Sequence, residues 1–422
     1  MHLSARAVAD RLRENSLRAF QHRDFRLLWI GAFVSFFGSW IQNVAQGFLV
    51  YELTRDVRAL AMVSFLASAP SAVLGPILGA MTDLVNRRVV LIICQAVYGI
   101  NALFIALMIT TGNIHYHMIL AVALINGIVT CVEVPTRQSL VGSIVAAEDI
   151  SAAVPINAMT FNLARLLGPS VGGFLAATFG AQACYAVNGF SYLALIASVF
   201  MIRANISART TRSEPIKDLV LEGMRFTWRD RSLRAVFICE AIVSGCGLFY
   251  ISQMAAITRE MFGLDQRGLG LSMSAIGVGT MTSLIVTMGL SHKPIKTLLV
   301  RLSMVSCGVS LLVLSLLSHP AAAFITFACI GASVVMLFNT CNTLFQLLSP
   351  ERLRGRTLSM HVWALNGFGT ITTPIFGLIA HSHGLRTALQ VGAACVLIGG
   401  ICAWTAKLNF DAEIAKRTAS AN

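Results

Sequence analysis

The sequence predicts an all-α integral membrane protein whose twelve transmembrane helices form two pseudo-symmetric six-helix bundles. The chain has 422 residues, of which 56% are hydrophobic and 12% are charged, about half the charged fraction of a soluble protein. Apolar stretches of about 20 residues, the length that crosses a bilayer, recur along the whole chain. This composition excludes a cytosolic enzyme, a disordered chain and a secreted disulfide scaffold.

The predicted spans cover residues 28–51, 59–80, 89–110, 117–138, 153–177, 182–202, 235–257, 268–290, 297–318, 320–346, 357–381 and 386–407. The longest break follows span six. We therefore predict an N-terminal bundle over 1–202, a linker over 203–234 and a C-terminal bundle over 235–422. After Pro215, apolar residues from Ile216 to Trp228 alternate with basic ones at helical spacing, which favours an amphipathic linker helix on the inner membrane surface.

Basic residues predict the orientation of the spans. With both termini inside, 26 Lys and Arg residues fall on the cytoplasmic side, 5 fall on the other side and Arg165 lies within a span. This asymmetry follows the rule that positive charge stays in the cytoplasm, and it explains the net charge of +13 without nucleic acid as a partner. We expect a multi-pass membrane protein with cytoplasmic termini.

Spans five and eleven indicate an internal repeat. Asn162 and Asn366, Gly173 and Gly377, and Gly180 and Gly384 each recur at an offset of 204 residues. Two parallel halves of this kind are typical of secondary transporters.

The loop after span two resembles a motif of the major facilitator superfamily. It reads Gly79-Ala-Met-Thr-Asp83-Leu-Val-Asn-Arg87-Arg88, against the family pattern G-x-x-x-D-[RK]-x-G-[RK]-[RK]. The resemblance implies that Asp83 helps to hold the outward-facing state, with Arg137 at the inner end of span four as its counter-ion. The alternative is ordinary cytoplasmic loop charge. The expected gating residues are Asp83, Arg87, Arg88, Arg137 and Arg354.

Span five is similar to the G-x-x-x-G-P-x-x-G-G signature of exporters in this superfamily, with Ala164 in place of the first glycine. Small residues recur every four positions and predict one flat helix face, and Pro169 interrupts the helical hydrogen bonds beside it. The alternative is a packing face without a hinge. The expected hinge and packing residues are Ala164, Gly168, Pro169, Gly172 and Gly173.

Four segments resemble the enterobactin-exporter-like branch of the superfamily. They are Phe25-Arg26-x-Leu28-Trp29, Leu49-Val50-Tyr51-Glu52-Leu53-Thr54 at the end of span one, Asn162-x-Ala-Arg-Leu-Leu-Gly-Pro169 and Leu353-Arg354-Gly355-Arg356 after span ten. The resemblance implies a proton-driven, alternating-access exporter of the bacterial inner membrane that moves amphipathic small molecules such as drugs or siderophores. A lipid or lysolipid transporter of the same fold is the alternative.

Few ionisable residues lie within spans, where each should face protein or water. Glu133 and Glu240 are candidate proton carriers, together with Arg165. Glu133 has an alternative role in a structural pair with Arg165 or Arg137. We expect His361 to hydrogen-bond within its bundle.

Polar and aromatic side chains within the spans predict a binding cavity, although hydrogen bonding between helices is the alternative for some of them. Ser35, Ser39, Gln42 and Gln46 form one polar stripe on span one. The expected substrate-binding residues are Gln42, Asn43, Gln46, Tyr250, Gln253, Asn339, Asn342, Trp363 and Asn366.

The expected partners are a small-molecule substrate, protons and the lipid bilayer, and we expect a monomer. The sequence contains no phosphate-binding loop, metal-ligand cluster or nucleophile–base constellation, so we predict no enzyme activity and no cofactor.

Overall fold

The computed structural model describes residues 19–81, 86–146, 149–203, 216–290, 293–406 and 409–421. These residues are helical and contain no strand. The helices are α1 (Arg23–Thr54), α2 (Val57–Met81), α3 (Arg87–Thr110), α4 (Tyr116–Ile144), α5 (Ile150–Phe179), α6 (Ala181–Met201), α7 (Ile216–Arg229), α8 (Arg231–Ile242), α9 (Met254–Ala256), α10 (Gln266–Leu290), α11 (Lys296–Leu316), α12 (Pro320–Leu348), α13 (Arg354–His383), α14 (Leu385–Thr405) and α15 (Phe410–Ala421).

Within the described residues, 11 helical segments are long and apolar enough to cross a membrane. They match predicted spans one to four and six to twelve. The segment predicted as span five forms α5, a helix of 30 residues. The helical membrane architecture is thus confirmed, while the count of twelve crossings and the cytoplasmic position of the termini stay predictions.

Two compact units make up the chain. The first comprises Met1–Ala45 and Leu74–Thr211, and the second comprises Gln46–Val73 and Arg212–Asn422. The end of α1 and most of α2 therefore belong to the second unit, together with the C-terminal half of the sequence. The domain boundaries inferred from hydropathy remain a prediction.

The predicted repeat appears as two equivalent helix junctions. Gly180 ends α5 with φ 81°, and Gly384 ends α13 with φ 87°. Both are in the left-handed region that glycine adopts without strain. The amide of each donates a hydrogen bond of 2.9 Å to an alanine carbonyl four residues earlier, Ala176 and Ala380 respectively.

The small-residue face of α5 packs directly on α1 in the first unit. A Cβ atom added to Gly168 would lie 2.6 Å from Cβ of Trp40, and one added to Gly172 would lie 2.8 Å from Cα of Ile41. Ala164 on the same face is fully buried. The face therefore serves close helix packing, and a hinge role for Pro169 and Gly173 stays a prediction.

Two short helices are attached to the second unit. On α7, Glu222 forms ion pairs with Arg352 and Arg356 at the start of α13. On α15, Arg417 lies 2.7 Å from Asp230, the N-cap of α8. The carboxylate of Asp411 accepts hydrogen bonds from the first amides of α11, and this arrangement satisfies donors that have no partner within that helix.

Candidate functional site

In the first unit, Glu133 and Arg137 form a buried ion pair one helical turn apart on α4. Arg137 Nε lies 2.8 Å from Glu133 Oε1. The guanidinium lies 4.5 Å from the ring centroid of Phe36, and the amide of Gln95 lies 3.5 Å from Glu133 Oε1. Of the two structural pairs predicted for Glu133, with Arg165 or with Arg137, the structure contains the pair with Arg137.

The polar stripe of α1 is largely used in contacts between helices. Gln42 accepts a 2.6 Å hydrogen bond from Asn188 of α6, and Ser39 lies 3.2 Å from the hydroxyl of Tyr192 on the same helix. Ser35 donates to Gln95 of α3 at 3.4 Å. Helix-to-helix hydrogen bonding therefore accounts for this part of the stripe.

Other predicted residues on α1 and α5 have different surroundings. Asn43 is exposed and Gln46 is half-buried. The guanidinium of Arg165 lies 5.8 Å from the ring centroid of Trp40, a cation–π contact. Substrate or proton roles for these residues stay predictions.

In the second unit, Glu240 of α8 and His361 of α13 form a buried pair between two helices. His361 Nδ1 lies 2.8 Å from Glu240 Oε1 and 3.0 Å from Oε2. Glu240 is fully buried and His361 is 5% exposed. The expected hydrogen bonding of His361 within its bundle is thus observed, and its partner is a predicted proton carrier.

Thiols and an aromatic ring lie near this pair. Cys239 of α8 and Cys341 of α12 interact electrostatically with Glu240, and Arg301 of α11 interacts with Cys239. The ring of Phe345 lies 5.9 Å from that of His361. A charge here is shielded from water, so gaining or losing a proton changes the local energy strongly.

An irregular stretch follows Glu240 on the same span. A wide π turn occupies Val243–Gly247, and a second occupies Ile257–Met261. Hydrogen bonds join the first turn to helix α13. Thr372 donates to the carbonyl of Gly245 at 2.5 Å, and Ser244 donates to the carbonyl of Leu365 at 2.7 Å. Turns of this kind occur frequently at functional sites.

Predicted binding residues of the second unit are placed differently from one another. Tyr250 and Gln253 are buried, and the amide of Gln253 donates to the carbonyl of Val57 at 3.1 Å. Trp363 is 42% exposed and stacks on Phe237. Asn366 is exposed. Substrate contact by any of them stays a prediction.

Asn339 and Asn342 lie together on α12 and line a pocket of about 360 Å³ in the second unit.

Several polar contacts of the second unit lie near the junction between α1 and α2. Tyr51 donates a hydrogen bond to the carboxylate of Glu260. Asp56 pairs with Arg58 at 2.8 Å and lies 3.3 Å from His381. Hydrogen bonding to the Arg58 guanidinium lowers the pKa of Asp56 below its usual value, and the charge of His381 acts in the same direction.

The predicted gating residues are only partly placed. Asp83 lies outside the described residues. Arg87 donates to the hydroxyl of Ser143 at 3.1 Å, and Arg88 donates to the carbonyl of Ile202. Arg354 is exposed. The gating role of all of these residues stays a prediction.

Sequence reasoning missed several residues that each form a polar contact with a partner in their own unit, namely Gln95, Asn188, Glu260, Lys296 and Asp230. A lone amide or acid in an apolar span signals that a partner exists, but it does not identify that partner.

A comparison with known families resolves the class of this membrane protein. A family of transmembrane secretion effectors, within the major facilitator superfamily, matches residues 14–421. The chain belongs to this family. It is therefore a multi-pass membrane transporter of the major facilitator superfamily and not an enzyme.

Relatives and solved structures agree with this class. A multidrug efflux pump Tap of Mycolicibacterium fortuitum is 20% identical over 90% of this chain and 95% of its own length. A staphyloferrin A transporter of Staphylococcus aureus is 22% identical over 60% of this chain, and the match spans 64% of that relative. The crystal structure of the nucleoside transporter NupG (D323A mutant) covers 92% of this chain and 100% of its own, with a TM-score of 0.77 and 13% identity.

Proposed function

We propose that this protein exports amphipathic small molecules, such as drugs or siderophores, across the bacterial inner membrane in exchange for protons, by alternating access. Relatives named as an efflux pump and a siderophore transporter support the export of such molecules. The enterobactin-exporter-like motifs of the sequence support the same substrate class.

The observation that carries proton exchange is the buried pair of Glu240 and His361. Among the described residues, the ion-pair partner of the Glu240 carboxylate is the imidazole of His361, 2.8 Å away, and an imidazole, unlike a guanidinium, exists in a neutral and a charged form. The pair joins α8 and α13, so a change in its protonation alters the contact between two helices. Proton binding and helix movement are thereby linked in one place.

The test uses the purified full chain in liposomes with an imposed pH gradient. Dyes, antibiotics and siderophores are added one at a time, and proton flux is recorded. We expect substrate-dependent flux that is lost in Glu240→Gln and retained in the matched variant Glu133→Gln. Thermal melting of each variant in detergent establishes that it is folded.

Flux that persists in folded Glu240→Gln would overturn the assignment of the proton site. If no compound produces flux while fluorescent lysolipid crosses the bilayer, the protein is a lipid transporter and the export proposal fails.

A further inference from the structure

An aromatic cluster in the second unit leaves one indole ring partly open. Trp363 of α13 stacks on Phe237 of α8, with ring centroids 5.8 Å apart and an angle of 12° between the ring planes. Phe368 lies against the same indole in a T-shaped arrangement, with 5.2 Å between the centroids. Phe237 is buried, whereas Trp363 is 42% exposed. The cluster therefore supports the indole and leaves part of its surface available for contact.

The indole of Trp363 is also packed against the backbone of its own helix. A Cβ atom added to Gly367 would lie 3.1 Å from the indole Nε1, closer than ordinary van der Waals contact. The ring is thus fixed by Gly367 as well as by the two phenylalanines. A side chain that is already fixed loses little conformational freedom when a ligand contacts it.

Trp363 lies on a face of α13 that is directed toward protein. The face repeats every three or four residues and consists of Trp363, Asn366, Thr370, Thr373 and Gly377. The two threonines are buried, and a Cβ atom added to Gly377 would lie 2.6 Å from Cβ of Ala61 on α2. Because this face packs on another helix and carries polar side chains, its exposed end at Trp363 and Asn366 is not a lipid-facing surface.

Asn366 places a hydrogen-bond acceptor beside the indole. It follows Trp363 by three residues, a spacing at which side chains on a helix are neighbours. Its amide nitrogen donates to the carbonyl of Val362 at 3.1 Å, and this bond fixes the orientation of the amide, since two oxygens cannot share a hydrogen bond without a donor. Among the described residues, the amide oxygen accepts no hydrogen bond, and Asn366 is exposed. A ligand with a donor group can therefore bind there.

We propose that Trp363 and Asn366 together bind flat aromatic molecules that carry an amine N–H group. The ring of such a molecule stacks on the open part of the indole, and its N–H group donates to the Asn366 oxygen. The inference rests on the proposed export of small molecules, and it names aromatic amines as a substrate class. Trp363 and Phe237 belong to α13 and α8, the same two helices that the Glu240–His361 pair joins.

The experiment measures binding of two neutral fluorescent dyes to the purified full chain in detergent, by fluorescence anisotropy. An aminocoumarin carries the N–H donor, and its N,N-dimethyl derivative has the same ring without that donor. In Trp363→Leu we expect both dyes to bind about tenfold more weakly, because the stacking surface is lost, while Trp363→Phe retains most of the binding.

Asn366→Leu tests the acceptor separately. The two side chains are similar in size, and we expect about fivefold weaker binding of the aminocoumarin with little change for its dimethyl derivative. Because Asn366 is exposed, this variant tests the proposal even where Trp363→Leu does not fold.

Trp404→Leu is the matched control. Trp404 is 44% exposed, close to the value for Trp363, and it lies on α14 beneath the guanidinium of Arg301. We expect this substitution to leave the affinity of both dyes unchanged. Thermal melting in detergent establishes that each variant is folded.

Equal affinities in folded Trp363→Leu and Trp404→Leu would overturn the proposal, as would failure of the unchanged protein to bind either dye. Equal weakening of both dyes in Asn366→Leu would overturn the role of the amide oxygen as the acceptor. Liposome transport separates this inference from the proposed function. Trp363-dependent dye binding without proton flux for any compound would support the site and contradict proton-coupled export. Proton flux with other compounds, while the aminocoumarin does not bind, would support export and contradict the site.

Discussion

Among the described residues, each compact unit contains one buried glutamate, and the two differ in their partners. Glu133 pairs with Arg137 at 2.8 Å on its own helix. Glu240 lies equally close to His361, which belongs to a different helix. Arginine keeps its charge at all relevant pH values, whereas histidine changes charge near neutrality.

The two pairs also differ in what they join. Glu133 and Arg137 lie on one helix, and their contacts with other helices are to the uncharged side chains of Gln95 and Phe36. A pair between α8 and α13 changes the energy of a helix contact whenever either member is protonated. The same kind of residue, buried to a similar depth, thus has a permanently charged partner in one unit and an ionisable partner in the other.

The largest effect is expected when the basic partners of the two glutamates are exchanged. His361→Arg gives Glu240 a permanent cation, which should hold the carboxylate ionised and abolish substrate-dependent proton flux. Arg137→His makes the first pair titratable, and it should leave flux in place while lowering stability. Liposome flux and thermal melting measure the two outcomes.

His361→Gln serves as a control in case arginine does not fit beside Glu240. It removes the titratable ring with little change in side-chain volume, and it should also abolish substrate-dependent proton flux. Normal flux in either folded variant of His361 would show that the pair is structural, like that of the first unit.

The second expected effect concerns stability. Arg137→Met leaves Glu133 buried without a counter-charge and should destabilise the protein by about 3–5 kcal/mol. The double variant Glu133→Gln with Arg137→Met removes both charges and should recover most of that loss. Unfolding in detergent measures both, and a double variant no more stable than the single one would contradict the role of the ion pair.

A smaller effect is expected at the irregular turn after Glu240. Thr372→Val removes the donor to the Gly245 carbonyl and should cost about 1–3 kcal/mol, because a buried acceptor loses its partner. We also expect slower transport, since this bond ties α13 to the span that carries Glu240. Thr130→Val, which removes a 2.8 Å contact with Tyr98 in the first unit, should lower stability without slowing transport.

The smallest effect is a dependence on acid. The pKa of Asp56 is lowered in the folded protein, so its ion pair stabilises the fold above the usual carboxyl pKa of 3.8 and the contribution is lost as pH falls through the folded value. Asp56→Asn should therefore lower the melting temperature slightly at neutral pH, where the ion pair is present, and the difference from the unchanged protein should vanish as the pH falls through the folded pKa. The effect is small because the carboxylate is 25% exposed to solvent.

Hydropathy, charge and spacing alone determined a large part of this protein. They predicted the spans that form helices, the equivalence of Gly180 and Gly384 and the small-residue face of α5, while the superfamily was indicated by the resemblance of two motifs to those of a known family. They also marked Glu133 and Glu240 as unusual, because an acid in an apolar span is costly wherever the helix lies. Each of these features is a property of one chain segment, so it can be read without the rest of the molecule.

The tertiary structure alone decided which side chains meet. It placed His361 against Glu240 and directed Gln42 of α1 to Asn188 of α6. The physical reason is that lipid-facing and protein-facing surfaces of a membrane helix are both apolar, so hydropathy does not specify how a helix is rotated. Rotation and register follow from close packing between helices, and these decide which side chain a buried charge meets.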